Sequence, residues 1–154
     1  MIADEEITED YLYGNLERKV KDEVVNWYAK VDKFLGSVLT RYTASPNPLP
    51  PLHITVAMHH NSDPDAVSSG IATGWLIAEM LLRKGQQCRI TLATPDSISS
   101  VSLSLLKKVF FSKGKEEDLK LPFELPLPFR AKEVRFMFTA PIDISSADAL
   151  ILVD

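Results

Sequence analysis

Cysteine occurs once in 154 residues, so the chain can form neither an internal disulfide nor a cysteine metal cluster. A reducing, cytoplasmic setting is the expectation that follows. The lone Cys88 lies in the strand-like run QCRITLAT, where a buried, inert thiol is expected rather than a reactive one. No apolar stretch approaches the length needed to cross a bilayer, so no membrane association is expected. The opening MIADEEITED is acidic and lacks an apolar core, unlike a signal peptide. Positive charge is not in excess. The formal net charge of −4 argues against non-specific nucleic-acid binding by the domain as a whole, though not against a local basic groove. Internal repeats and low-complexity tracts are absent too, as are a glycine-rich phosphate loop, a Ser-His-Asp order and zinc-ligand spacing.

What is there reads as a globular α/β chain. Apolar content of 45% and charged content of 25% are ordinary for a soluble protein with a packed core. From about Thr8 to Tyr42, apolar residues recur at Leu16, Val20, Val24, Trp27, Val31, Leu35 and Val38. These steps of three and four predict an amphipathic helix, with a break expected near Gly36. Its other face, with Arg18, Lys19, Asp22, Glu23, Lys30 and Lys33, is expected to be solvated. The proline-rich SPNPLPP (45–51) stops any helix, because proline lacks the amide donor. Residues 1–50 are therefore read as a helical segment and linker, and 51–154 as an α/β domain.

Within that domain, LHITVAM (52–58) predicts a buried central strand of a parallel sheet. A helix is expected from about Asp65 to Lys84, stopped at Gly85. Its first half is crowded with the small residues Ala66, Ser69, Gly70, Ala72, Thr73 and Gly74, which suits close packing on a sheet. CRITLAT (88–94) predicts a second strand and SISSVSLSLLKKVFF (97–111) another helix. Residues 112–129 read as an irregular connection, with KGKEED (113–118) as a solvated loop. EVRFMFTA (133–140) and ADALILVD (147–154) predict two further strands. The PIDISS bridge between them is too short for a crossover helix, so the 133–140 strand is expected at an edge or in antiparallel pairing. The fold class is thus an open, mostly parallel, Rossmann-like sheet flanked by helices and preceded by a long helix.

In open sheets of this kind, sites form at the carboxyl ends of the strands. The loop HHNSDPDA (59–66) falls there, and so does Asp154. His59, Asp63 and Asp65 can converge on one point, and oxygen donors with one imidazole suit Mn²⁺ or Mg²⁺. Two such ions would clamp the attacking and leaving oxygens of a phosphoryl displacement and acidify a shared water. Asp154, after ALILV, is the natural further carboxylate. A second reading explains the aspartates without metal: Asp63 as helix N-cap, Pro64 at the first helical position and Asp65 in the first turn. That reading leaves His59 unexplained.

The run His59-His60-Asn61-Ser62-Asp63-Pro64-Asp65-Ala66-Val67-Ser68-Ser69 resembles the first motif of the DHH phosphoesterase superfamily, His-x-x-Pro-Asp-x-Asp-Ala-x-Gly-Ser. That superfamily includes RecJ-type nucleases, nano-RNases, cyclic-dinucleotide phosphodiesterases and manganese-dependent family II pyrophosphatases. Ser62 stands for the usual proline and Ser68 for the usual glycine. The strand ending in Asp154 resembles the second motif. The resemblance covers roughly residues 52 to 154, and the first motif is the more specific of the two. It implies that His59 and Asp63 bind one ion, Asp65 the other, and that Asp154 bridges them. It also implies hydrolysis of phosphodiester or phosphoanhydride bonds, with Asp63, Asp65 and Asp154 in catalytic roles and two Mn²⁺ or Mg²⁺ ions as cofactors.

The family's third motif, Asp-His-His, does not occur in the chain, and neither does its C-terminal substrate domain. Two expectations stay open on that ground. The chain is an incomplete part of a longer phosphoesterase, inactive alone, or it is a non-catalytic RecJ-like scaffold associated with nucleic acid in replication or repair. A nucleotide-binding regulatory domain on the same kind of sheet is a third possibility, on fold alone. Expected partners are a phosphate-ester substrate, single-stranded nucleic acid or a short oligonucleotide, and a missing C-terminal domain or a second copy covering exposed apolar surface.

Other residues carry two readings each. His60 is a donor supporting a metal ligand or is solvent-facing, and Asn61 orients a ligand or makes an Asx turn. Ser68 and Ser69 meet a substrate phosphate at the helix end or simply pack. Asp96 approaches the site or forms a turn. Trp27 and Trp75 are expected in a core or interface before serving as stacking platforms. His53, at the start of the first strand, is expected to point away from the site.

Overall fold

The computed structural model describes residues 9–44, 50–111, 119–126 and 134–153, with side chains of the first helix described from residue 17 onward. Most of the proline-rich stretch, the KGKEED run and Asp154 lie outside the described residues, as does the side chain of Leu16. Helix α1 spans Glu9–Thr43 and passes through Gly36 without a break. One glycine costs a helix only about 1 kcal/mol relative to alanine, too little to interrupt so long an element. Two compact units divide the chain at Ser37 and Val38. In the first, Val20, Val24, Val25, Trp27 and Tyr28 are all exposed. Trp27, expected in a core or an interface, is two-fifths exposed and so does not lie in a core.

The second unit is built on five strands: β1 (Leu52–Ala57), β2 (Cys88–Ala93), β3 (Phe123–Glu124), β4 (Arg135–Thr139) and β5 (Ala149–Leu152). Their order is β3-β4-β2-β1-β5, and every pairing is parallel except that of β3 with β4. Helices α2 (Pro64–Arg83) and α3 (Ser100–Phe110) connect β1 to β2 and β2 to β4, and they touch each other. The protein is thus α/β, with a mostly parallel sheet flanked by helices and an N-terminal helix.

β1 is buried along its whole length, as its unbroken apolar character requires in mid-sheet. Leu52, Ile54 and Val56 share one face with Ile90, Leu92, Phe136 and Phe138, all fully or nearly fully buried. α2 packs on that face through Gly74, where an added Cβ would meet Phe136, Ile90 and Leu92. Gly70 makes room for Met58 in the same way. The small-residue half of α2 therefore does what its composition implied. The helix ends where Gly85 takes a left-handed φ of 72°, which a residue without Cβ adopts freely. Trp75, on the same helix, is two-fifths exposed rather than in the core.

The 133–140 strand meets its expectation in part. β4 pairs antiparallel with β3 but also parallel with β2, so it lies inside the sheet, and β3 and β5 take the edges. Residues 140–148 return from the top of β4 to the foot of β5 across the second face of the sheet. If extended they reach roughly 30 Å, against about 14 Å sideways and about 17 Å back along the strands, so no helix is needed. Ser146 and Asp148 land against His53 at the foot of β1, and the Asp148 amide donates to the His53 carbonyl at 2.8 Å. β3, only two residues long, is too short for periodicity to signal and is not anticipated by the sequence. Among the described residues no helix is long and apolar enough to cross a membrane.

Candidate metal site

β1 ends at Ala57, and the Met58 amide continues its pairing by donating to the Ala93 carbonyl at 2.8 Å. His59 thus emerges at the carboxyl end of the sheet's central strands. The loop that follows is fixed from below by Ser62, a residue at which the chain departs from the family motif. Ser62 is fully buried. Its hydroxyl donates to the His59 carbonyl at 2.6 Å, and its own carbonyl accepts from the Ser99 amide at 3.1 Å and the Ser102 hydroxyl at 3.0 Å. Thr94, buried at the end of β2, donates to the Ser97 carbonyl at 2.8 Å and lies 3.4 Å from the His59 carbonyl. The loop after β1 and the loop after β2 are therefore one hydrogen-bonded assembly.

His59 Nδ1 lies 2.8 Å from the His60 carbonyl, which places the ring proton on Nδ1. Nε2, the other ring nitrogen, faces Asp63 Oδ1 at 3.7 Å. Asp63 is also the N-cap of α2, with Oδ1 accepting from the Ala66 amide at 2.9 Å and Pro64 in the first helical turn. Capping and facing His59 are thus two actions of one carboxylate, and the two readings of Asp63 do not compete. Asp65 stands exposed in the first turn of α2, where the helix dipole favours its charge. Ser68 and Ser69 are exposed on the same helix.

β5 runs beside β1 with Ala57 opposite Leu152, and the Val153 amide donates to the Ala57 carbonyl at 2.9 Å. Val153 and His59 line a common cleft of about 290 Å³ with Met58 and Ile142. The structure thus joins His59 to Asp63, sets Asp65 in the adjoining helical turn, and carries β5 to the same end of the sheet. Asp154 follows outside the described residues. Among the described residues no three histidine, cysteine, aspartate or glutamate side chains gather as a ready metal-binding group.

His60 has a partner. Its Nδ1 lies 2.8 Å from Asp96 Oδ2, while Asp96 Oδ1 accepts from the amides of Ser97 at 2.6 Å and Asn61 at 3.4 Å. Local desolvation opposes ionisation of Asp96. The Ser97 and Asn61 amides, the His60 imidazole and the Ser97 hydroxyl outweigh it and hold the carboxyl below its ordinary range. Asp96 therefore does reach the loop, through His60 rather than through His59. Asn61 takes a left-handed φ of 49°, in keeping with the turn reading. Cys88 is buried, and burial pushes its thiol up to about 11, so it is inert as expected.

A second polar cluster was not anticipated. At the opposite end of β1, buried His53 has Nε2 at 2.7 Å from the Thr91 hydroxyl. Its Nδ1 lies 2.8 Å from Arg89 Nη2 and 2.9 Å from the Ser146 carbonyl. Nδ1 cannot accept from one and donate to the other at once, so the two contacts belong to alternative tautomers. The available signal was the polar alternation of Arg89 and Thr91 within an otherwise apolar strand. Matched against known proteins, the chain finds no family model, no curated protein and no solved structure similar to it.

Proposed function

We propose that this chain is part of a DHH-type, metal-dependent phosphoesterase that hydrolyses phosphodiester or phosphoanhydride bonds, and that its sheet is Rossmann-like. The observation that carries the proposal is the apposition of His59 Nε2 and Asp63 Oδ1, two atoms able to bind a metal, at 3.7 Å beside the carboxyl ends of the central strands. An imidazole and a carboxylate at that separation can share one cation, and the bond from Nδ1 to the His60 carbonyl is the kind of support that orients a metal-binding imidazole.

The donor set, one imidazole with carboxylates, fits Mn²⁺ or Mg²⁺. His59 and Asp63 would hold one ion, Asp65 a second, and Asp154 would bridge them. When bound, two such ions supply electrostatic stabilisation of the phosphoryl group and lower the pKa of water. The chain's own residues do the positioning. Ser62 and Thr94 fix the backbone of His59, the helix cap fixes Asp63, and the α2 N-terminus with Ser68 and Ser69 offers an electropositive approach for a substrate phosphate.

A Mn²⁺ titration of the native chain against Asp65→Ala tests the proposal. Saturable binding that weakens by about tenfold or more in the variant is the expected result. Superimposable curves for the two proteins refute it.

A further inference from the structure

The cluster around His53 opens into a cavity of about 640 Å³, more than twice the volume of the cleft beside His59. Its walls bring together Arg89, Arg135, His53 and Ser146, with Pro50 and Pro51 as rigid apolar surface. Arg89 and Arg135 are register partners on the adjacent parallel strands β2 and β4, so both side chains project from the same face of the sheet. Like charges side by side on neighbouring strands repel. Among the described residues neither guanidinium has a carboxylate within ion-pair distance; Arg89 Nη2 meets only the His53 imidazole, at 2.8 Å. The one carboxylate in the wall, Asp148, is turned to the backbone of β1, where its Oδ2 accepts from the His53 amide at 2.7 Å.

We propose that this cavity binds the phosphate group of a nucleotide-sized phosphate ester. Two guanidinium forks on adjacent strands match the oxygens of a phosphate, and an anion between them removes the repulsion that the empty arrangement carries. The Ser146 hydroxyl, 3.3 Å from His53 Nδ1, is a further donor at the same point. A volume near 640 Å³ falls in the range of small-molecule pockets and exceeds what a bare phosphate fills. This site is separate from the His59 loop. His53 and His59 lie at opposite ends of β1, about 20 Å apart at the rise of a strand.

The test is calorimetric titration of the chain, in excess chelator, with inorganic phosphate and with adenosine 5′-monophosphate. Saturable binding of both is expected, with the nucleotide tighter and displaced competitively by phosphate. Arg89→Gln and Arg135→Gln should each weaken binding by about tenfold or more. Arg135 is exposed, so Arg135→Gln should keep the native melting temperature. Absence of binding by either probe, equal affinity in the arginine variants, or no gain from the nucleoside over phosphate would each overturn the proposal.

Discussion

Gly74 of α2 sits so close to Phe136 of β4 that a Cβ at position 74 would stand 2.9 Å from the ring's Cε1 and 3.0 Å from Ile90 Cγ2. Neither neighbour can yield, because both belong to the sheet's buried face. Gly74→Ala is therefore expected to destabilise the protein by about 1–3 kcal/mol despite alanine's better helix propensity. At Gly70 the clash is with Met58 Sδ at 2.8 Å, on a flexible side chain. Gly70→Ala should fall within about 1 kcal/mol of native. Denaturant unfolding of the two variants checks the contrast, and equal losses would contradict it.

Thr55 is fully buried in mid-sheet, and its hydroxyl has no hydrogen-bond partner among the described residues. Replacing it with the isosteric Val removes an unpaired buried donor and should stabilise the fold by roughly 1 kcal/mol. A lower melting temperature for Thr55→Val would show that the hydroxyl is paired.

Asp63 is a helix cap and a proposed cation ligand, and asparagine separates the two. Asn caps a helix about as well as Asp but lacks the charge to hold a cation. Asp63→Asn should keep native stability and lose Mn²⁺ affinity, whereas Asp63→Ala should lose both, with a stability cost of about 1 kcal/mol. Thermal melts and Mn²⁺ titrations on the pair decide this; unchanged Mn²⁺ affinity in Asp63→Asn would leave the residue as a cap alone.

His53 gives the fold a dependence on pH. Burial lowers its pKa below the ordinary 6.5; the Arg89 guanidinium acts in the same direction, while the Ser146 carbonyl, Asp148 and Asp143 oppose it. As pH falls, the unfolded chain takes up this proton first. Stability from His53 is therefore complete above pH 6.5 and declines as pH drops through that value toward the folded-state pKa. Asp143, held below its ordinary 3.8 first by the Ser145 hydroxyl and then by its amide, acts in a lower window. Unfolding free energies between pH 5 and pH 8 should show a slope in native protein that flattens in His53→Gln (window after). A slope unchanged by the substitution would assign it elsewhere.

Much of this was written in the sequence, and what was not has physical causes. The unbroken apolar run of β1, the small-residue half of α2 and the Asp63-Pro64-Asp65 start each impose one local structure, and each forms within a residue or two of expectation. The path from β4 to β5 was not legible, because a bridge without a helix can turn back locally or cross the whole sheet. Which way it goes depends on where Ser146 and Asp148 find partners, and His53 lies more than ninety residues away. The same distance hid the His53 cluster. At the candidate metal site the spacing of His59, Asp63 and Asp65 was visible. The support from Ser62 was not, since a serine in place of proline reads as a loss until the bond from its hydroxyl to the His59 carbonyl is seen.

The central claim is that His59 and Asp63 share a divalent cation. Pulsed EPR of Mn²⁺ added to the native chain reads this directly, through the coupling of the ion's electron spin to an imidazole nitrogen. Nitrogen coupling in native protein that disappears in His59→Gln is the predicted result. Bound Mn²⁺ showing no nitrogen coupling, or the same coupling in His59→Gln, would contradict it.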